Sequence, residues 1–311
     1  DVTQSGGAVP IIKWEVVSHG IDESTCDEID AGLIRWWPLD DAAQNGVARE
    51  LIYGRDGQYS NTAGVEAGPA LSPGSGPSFR MTSIYDYATL PLSGAITPPA
   101  PDATMDGRTE YTVQAWAMLD NDGTGTLDGG GVIRNIATNW EDIIGGARAW
   151  SIALNGTDNL VPEGVVSGMS ALTDGARFPT GNPTLFTLTY KQGGQVRFYR
   201  GGTLDAAGSA STVTAFGSVC YVGSFESYPS SYAFLGSVAN VKVYDYEKSA
   251  AQIAQDALYE YYPIPDGGGY INRDGTIIAG CTRVVTPGTL TLDMVVGDLT
   301  ERGGVTDYDV T

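Results

Sequence analysis

Short apolar runs recur between residues 33 and 258, each bounded by glycine, proline, asparagine or aspartate: GLIRWWPL, YTVQAWAML, GGVIRNIA, ARAWSIAL, LFTLTYK, QVRFYRGG, SVCYVGSF and GSVANVKVYDY. Runs of this length, separated by turn chemistry at regular intervals, predict antiparallel strands closed into a sandwich or barrel. Composition points the same way. The 42 glycines, the excess of 17 tyrosines over 7 phenylalanines and the charged content of only 17% favour tight turns and pleated surfaces over helices. With 311 residues, 42% of them hydrophobic, the chain is long enough to bury a substantial core.

Local signals fix some connections. Gly193-Gly194 links TLTY to VRFY as a hairpin, and Asn155-Gly156 supplies a pair that tolerates positive φ in a type I′ turn. Asn155-Gly156-Thr157 is also a glycosylation sequon, a reading that a tight turn makes secondary. The helix signal is SAAQIAQDALYEYY, with capping-box spacing between Ser249 and Gln252; Ile253, Ala257, Leu258 and Tyr261 share a face, and Pro263 stops it. Residues 1–32 form an N-terminal extension holding the strand PIIKWEVV, residues 33–262 the β domain, and residues 263–311 a C-terminal extension in which Leu290, Leu292, Met294 and Val296 alternate.

The net charge of -20 and pI near 4.2 argue against nucleic acid as a partner, because phosphate binding needs clustered Lys and Arg. Lysine occurs only at Lys13, Lys191, Lys242 and Lys248. There is no apolar run long enough to span a membrane and no signal-peptide pattern at the start. Cys26, Cys220 and Cys281 show no CxxC pairing; Cys220 reads as a buried apolar residue, and Cys26 with Cys281 is a candidate bridge between the extensions.

Taken in order, LIRWWPLDD, YGRDG, SIYDYATLP, YTVQAWAML, AWSIAL, TLTYKQGGQVRFYRGG and FLGSVANVKVYDYEKSAAQIAQ resemble the laminin-G-like, concanavalin A-like jelly-roll domains. The resemblance spans residues 33–258 and implies an all-β fold: a two-sheet antiparallel jelly-roll sandwich with one short C-terminal helix, here with β-rich N- and C-terminal extensions. Relatives bind sugars or proteins, sometimes hold calcium on the rim, and occur on virions. One departure is that NPTLFTLTY lacks the histidine many relatives carry there; the sole histidine, His19, precedes the domain and reads as a surface residue.

The stretch DNDGTGTLDGGG places Asp120, Asp122, Thr124, Thr126 and Asp128 at alternate positions, the spacing of an EF-type calcium loop. Gly131 stands where the bidentate glutamate belongs, so an ordinary solvated loop competes with a calcium site. Trp140, Tyr228 and Tyr232 lie in loop-like sequence and are candidate sugar-stacking aromatics, whereas Trp36, Trp116 and Trp150 sit in strand patterns and read as core. The expected role is a non-enzymatic, surface-displayed, lectin-like module, extracellular or on a virion surface, recognising carbohydrate or a cell-surface ligand. The alternative is a structural component of a larger assembly, such as a phage capsid decoration or tail protein, joined to other subunits through edge strands of the extensions. A glycan hydrolase is a third alternative. Its strand motif ExDxxE is only half present, because Glu28 and Asp30 are followed by Leu33 where the second glutamate belongs. A serine triad has only His19 as base and no GxSxG elbow.

Overall fold

A computed structural model describes most of residues 32–258 and three short strands, Tyr262–Pro263, Tyr270–Ile271 and Ile277–Ile278. Outside the described residues lie 1–31, the rest of 259–311, segments 41–45, 61–65, 73–75, 93–104, 121–132, 141–147, 156–159, 167–171, 214–216 and 225–231, and isolated positions. His19, Cys26, Cys281, PIIKWEVV and the alternation at 290–296 therefore fall outside them. The chain divides into two compact units, Ala31–Glu260 and a second made of Asp1–Asp30 with Tyr261–Thr311. In the second unit the three short strands pair in order as a small antiparallel sheet.

The first unit is a sandwich of two antiparallel sheets. Its strands are β1 (Leu33–Trp37), β2 (Val47–Ala48), β3 (Gly57–Tyr59), β4 (Glu66–Gly68), β5 (Ser78–Met81), β6 (Ala88–Pro91), β7 (Glu110–Leu119), β8 (Ile133–Trp140), β9 (Arg148–Asn155), β10 (Val161–Val166), β11 (Thr184–Lys191), β12 (Gln195–Arg200), β13 (Thr203–Ser209), β14 (Val219–Val222) and β15 (Gly236–Tyr244). One sheet runs β13-β12-β11-β7-β15-β5-β4, with β1 also on β15; the other runs β10-β9-β8-β14-β6-β3-β2. A bulge at Asn240, whose φ is +50°, splits β15, so that β5 pairs with its first half and β1 with its second.

Period-2 alternation decides what fills the space between the sheets. Tyr111, Val113, Ala115, Ala117 and Leu119 of β7, Phe186, Leu188 and Tyr190 of β11, and Val196 and Phe198 of β12 meet Trp150, Ile152 and Leu154 of β9 and Cys220 and Val222 of β14 in one buried cluster. Each fully buried Phe, such as Phe79 or Phe198, contributes about 1.5–3 kcal/mol. Trp150 joins this core as the sequence suggests. Trp36 and Trp116 are buried too, but on the opposite face of the larger sheet. There Trp116 packs with Leu71, Leu185 and Ala239, while Trp36 donates to Asn240 and lies under the Lys242 ammonium.

The helix α1 covers Ala250–Leu258 on that outer face. Its cap matches the sequence reading: Ser249 N–H donates to Gln252 Oε1 at 2.9 Å and Gln252 N–H to Ser249 Oγ at 3.3 Å. Ile253 is buried, yet Leu258 is largely exposed and does not belong to the packed face. The 193–194 hairpin forms as expected, with Gly193 at φ +71° and the Gly194 amide bonded to Lys191 O. The Asn155-Gly156 turn does not close its hairpin in two residues. Asn155 is itself paired with Val161, so the connection is residues 156–160.

Candidate functional site

The parity that sends Cys220, Val222, Ile152 and Leu90 inward sends their neighbours to the outer face of the seven-stranded sheet. The register aligns Val165, Ser151, Thr138, Tyr221, Thr89, Gln58 and Val47 in one row across all seven strands. At one strand spacing per step the row is roughly 29 Å long. Ser151 and Thr138 are buried in this row, the Thr138 hydroxyl donating to Trp150 O at 3.2 Å, so its accessible part is the Tyr221 ring with Thr89, both half-buried, and the exposed amide of Gln58.

The neighbouring row holds a second polar group: Glu163 of β10, Ala153 of β9 and Asn135 of β8 stand opposite one another. Asn155, one turn of the pleat away, donates Nδ2–H to Glu163 Oε2 at 2.7 Å. Glu163 is 2% exposed and Asn135 not at all. Burial pushes the Glu163 carboxyl above its ordinary value, and the Asn155 bond draws it back less strongly. Both amide atoms of Asn135 are buried without a hydrogen-bond partner in the protein, at about 1–3 kcal/mol for each group left unsatisfied. Gly164 makes this geometry possible: a Cβ there would lie 2.7 Å from Phe198 Cδ2 and 2.8 Å from Leu188 Cδ1. Its bare backbone thus seats β10 tightly on the core while Glu163 faces outward.

Other buried carboxylates are structural. Glu50 accepts from the backbone of Trp36, Ile52 and Arg55, and Asp86 from that of Thr82 and Ser83. Cys220 is a free, buried thiol pushed up to about 12 by burial.

Of the residues suggested by sequence, three are described: Asp120 and Tyr232 lie toward one end of the sandwich and Trp140 toward the other. Asp120 follows β7, and its carboxylate accepts from Arg80 Nε at 2.6 Å, with Glu66 also on Arg80; any cation at Asp120 competes with that guanidinium. Asp122, Thr124, Thr126 and Asp128 lie outside the described residues, as does Tyr228. Tyr232 is half-buried between the end of β14 and the start of β15, at the end of the sandwich where β7 finishes. Trp140 closes β8 at the other end, about 23 Å along that strand from the side where residue 133 enters. Sequence reading passed over Tyr221, Thr89, Gln58 and Glu163, which alternation marks as one face of their strands, and Asn135, which joins that face only because a bulge at Ile136 breaks the alternation of β8. It also passed over Tyr85, an exposed aromatic at 59% in the turn before β6.

The sequence profile for the family described as "Concanavalin A-like lectin/glucanases superfamily" (Laminin_G_3) matches residues 93–254, just over half of the chain. No curated protein matches the sequence. Among solved structures the fold is similar to Trypanosoma rangeli sialidase bound to 2,3-difluorosialic acid, with a TM-score of 0.54 and 15% identity over 73% of this chain and 33% of that one. The chain thus spans about a third of the sialidase's length. It is also similar to domain 4 of AbnA, an extracellular arabinanase of Geobacillus stearothermophilus in complex with arabinotriose, with a TM-score of 0.50 and 15% identity over 73% of this chain and 98% of that domain. At such identities the likeness is one of fold.

Proposed function

The chain belongs to the Laminin_G_3 family of the concanavalin A-like lectin/glucanase superfamily, and from that premise we propose that it is a non-enzymatic, lectin-like module that binds carbohydrate on the outer face of its seven-stranded sheet. The observation that carries this reading is the in-register run of Tyr221, Thr89 and Gln58, the accessible part of the row that crosses the sheet. Sugars are recognised by stacking of their apolar C–H faces on an aromatic ring and by hydrogen bonds from hydroxyls and amides around it, and this row offers both chemistries on rigid strands. The arabinotriose bound by AbnA domain 4 adds support, because that whole domain shares the fold.

Binding is favoured over cleavage because glycoside hydrolysis by the common mechanisms needs two carboxyl groups flanking the scissile bond. Among the described strand residues of this face, Glu163 is the one carboxylate. Domains of this superfamily are often extracellular, a setting that suits a surface-displayed glycan binder, and no helix among the described residues is long and apolar enough to cross a membrane. The test is a glycan array with the intact chain, run in calcium and again in chelator, alongside Tyr221→Ala and Gln58→Ala. Reproducible binding that falls about tenfold or more in Tyr221→Ala supports the reading. Loss in chelator would assign calcium a part in it. An array on which the intact chain binds nothing, or binding untouched by both substitutions, refutes it.

A further inference from the structure

We infer that Glu163, Asn135 and Asn155 form a subsite that takes adjacent hydroxyl groups of a neutral sugar; this deepens the carbohydrate-binding reading and rests on it. Three observations carry it. Asn135 is fully buried, yet neither its amide nitrogen nor its amide oxygen has a partner, and buried polar groups are otherwise nearly always satisfied. Glu163, equally enclosed, has one neutral hydrogen-bond donor, Asn155. Between them in the register stands Ala153, whose methyl group is the smallest side chain that could separate the two longer ones, which lie two strand spacings, roughly 10 Å, apart at the backbone.

The unmet capacity is specific. Asn135 offers two donors and an acceptor, and the Glu163 carboxylate offers acceptors only. A hydroxyl group both donates and accepts, so one hydroxyl can donate to Glu163 while accepting from Asn135 Nδ2, and its neighbour on the ring can donate to Asn135 Oδ1. Asn155, at the end of β9, is the only one of the three that solvent partly reaches, and a ligand enters past it. An acidic sugar fits poorly. It would bring a second carboxylate beside Glu163, whose charge is already disfavoured by burial, toward a chain of net charge -20.

The experiment uses the intact protein on an array that pairs each neutral glycan with its sialylated form, followed by titration with the strongest neutral glycan. It is repeated with Asn135→Val and with the isosteric Glu163→Gln, which keeps the test open should Asn135→Val fail to fold. The expected result is binding of neutral glycans at least about tenfold above their sialylated partners, with about tenfold loss in either variant. Asn135→Val should also melt higher than the wild type, because a satisfied apolar group replaces an orphaned amide. A purely structural asparagine would not combine raised stability with lost binding. If the wild type binds neutral glycans and both variants bind equally well, or if sialylated forms are preferred, the subsite is overturned and the carbohydrate reading stands. If the wild type binds no glycan, both fall.

Discussion

Gly164 is the position where a single methyl group tests the packing that supports the site. In Gly164→Ala the new Cβ would lie 2.7 Å from Phe198 Cδ2, 2.8 Å from Leu188 Cδ1 and 3.0 Å from Phe198 Cγ, where ordinary carbon contacts are about 3.5–4.0 Å. Something must therefore move by about 1 Å. Phe198 has little room to do so: its ring stacks on Phe186 at 5.9 Å, and Phe186 in turn meets Phe178 at 5.1 Å. Overpacking of this kind costs about 1–3 kcal/mol, against about 0.4–1 kcal/mol recovered because alanine restricts the unfolded chain. The net expectation is a loss of about 1–2 kcal/mol, or about 2–4 °C in Tm per kcal/mol for a unit of this size. Urea unfolding followed by tryptophan fluorescence measures it as a lower midpoint at unchanged slope. In a Phe198→Leu background, where the clash is partly relieved, the loss should shrink. A Gly164→Ala midpoint equal to or above that of the wild type would refute the claim that β10 is seated on the core through a bare backbone.

Two further predictions follow from named groups. The Glu163 carboxyl titrates above its ordinary value of 4.5, so the folded chain holds that proton more tightly than the unfolded one. Its contribution to stability is complete below the ordinary value and is lost as pH rises through the raised one. Glu163→Gln removes the titration, so melts from about pH 4 to pH 7 should show the variant gaining on the wild type as pH rises; a difference constant with pH contradicts this. Ser249→Ala removes the oxygen that accepts from Gln252 N–H and should lower stability by about 1 kcal/mol. A chemical-denaturation midpoint unchanged by that substitution would show that α1 is held by Ile253 and its neighbours alone.

Much of the architecture is legible in the chain. The alternation in YTVQAWAML predicts both the strand Glu110–Leu119 and which of its residues share a face, and TLTYKQGGQVRFY declares its own hairpin. The Ser249–Gln252 spacing declares its own cap. These signals are local: a period of two, a glycine pair, a side chain reaching three residues along. Other elements were hidden because nothing local marks them. β5 is four residues, SFRM, and β13 is a polar edge, TLDAAGS, with much of it exposed. Leu258 obeys the helical period yet faces solvent, because the period shows which residues share a face and not how far the sheet beneath extends.

The candidate site shows the same division. Sequence alone singled out aromatics in loops and a calcium-like spacing after Leu119, yet the fold carries Trp140 to one end of the sandwich and Asp120 to the other, where Arg80 holds its carboxylate. The amino-acid sequence by itself determined the longer apolar strands, the alternation of their two faces and the amphipathic helix, since each follows from contacts within a few residues. Only the tertiary structure decided which faces turn inward, why Trp36 and Trp116 lie on the outside of a sheet while Trp150 lies between sheets, and that Glu163 and Asn135 flank Ala153 in one row. Those outcomes depend on pairing between strands distant in the chain, such as Thr138 with Tyr221, and the free energy that selects such a register comes from the whole core at once.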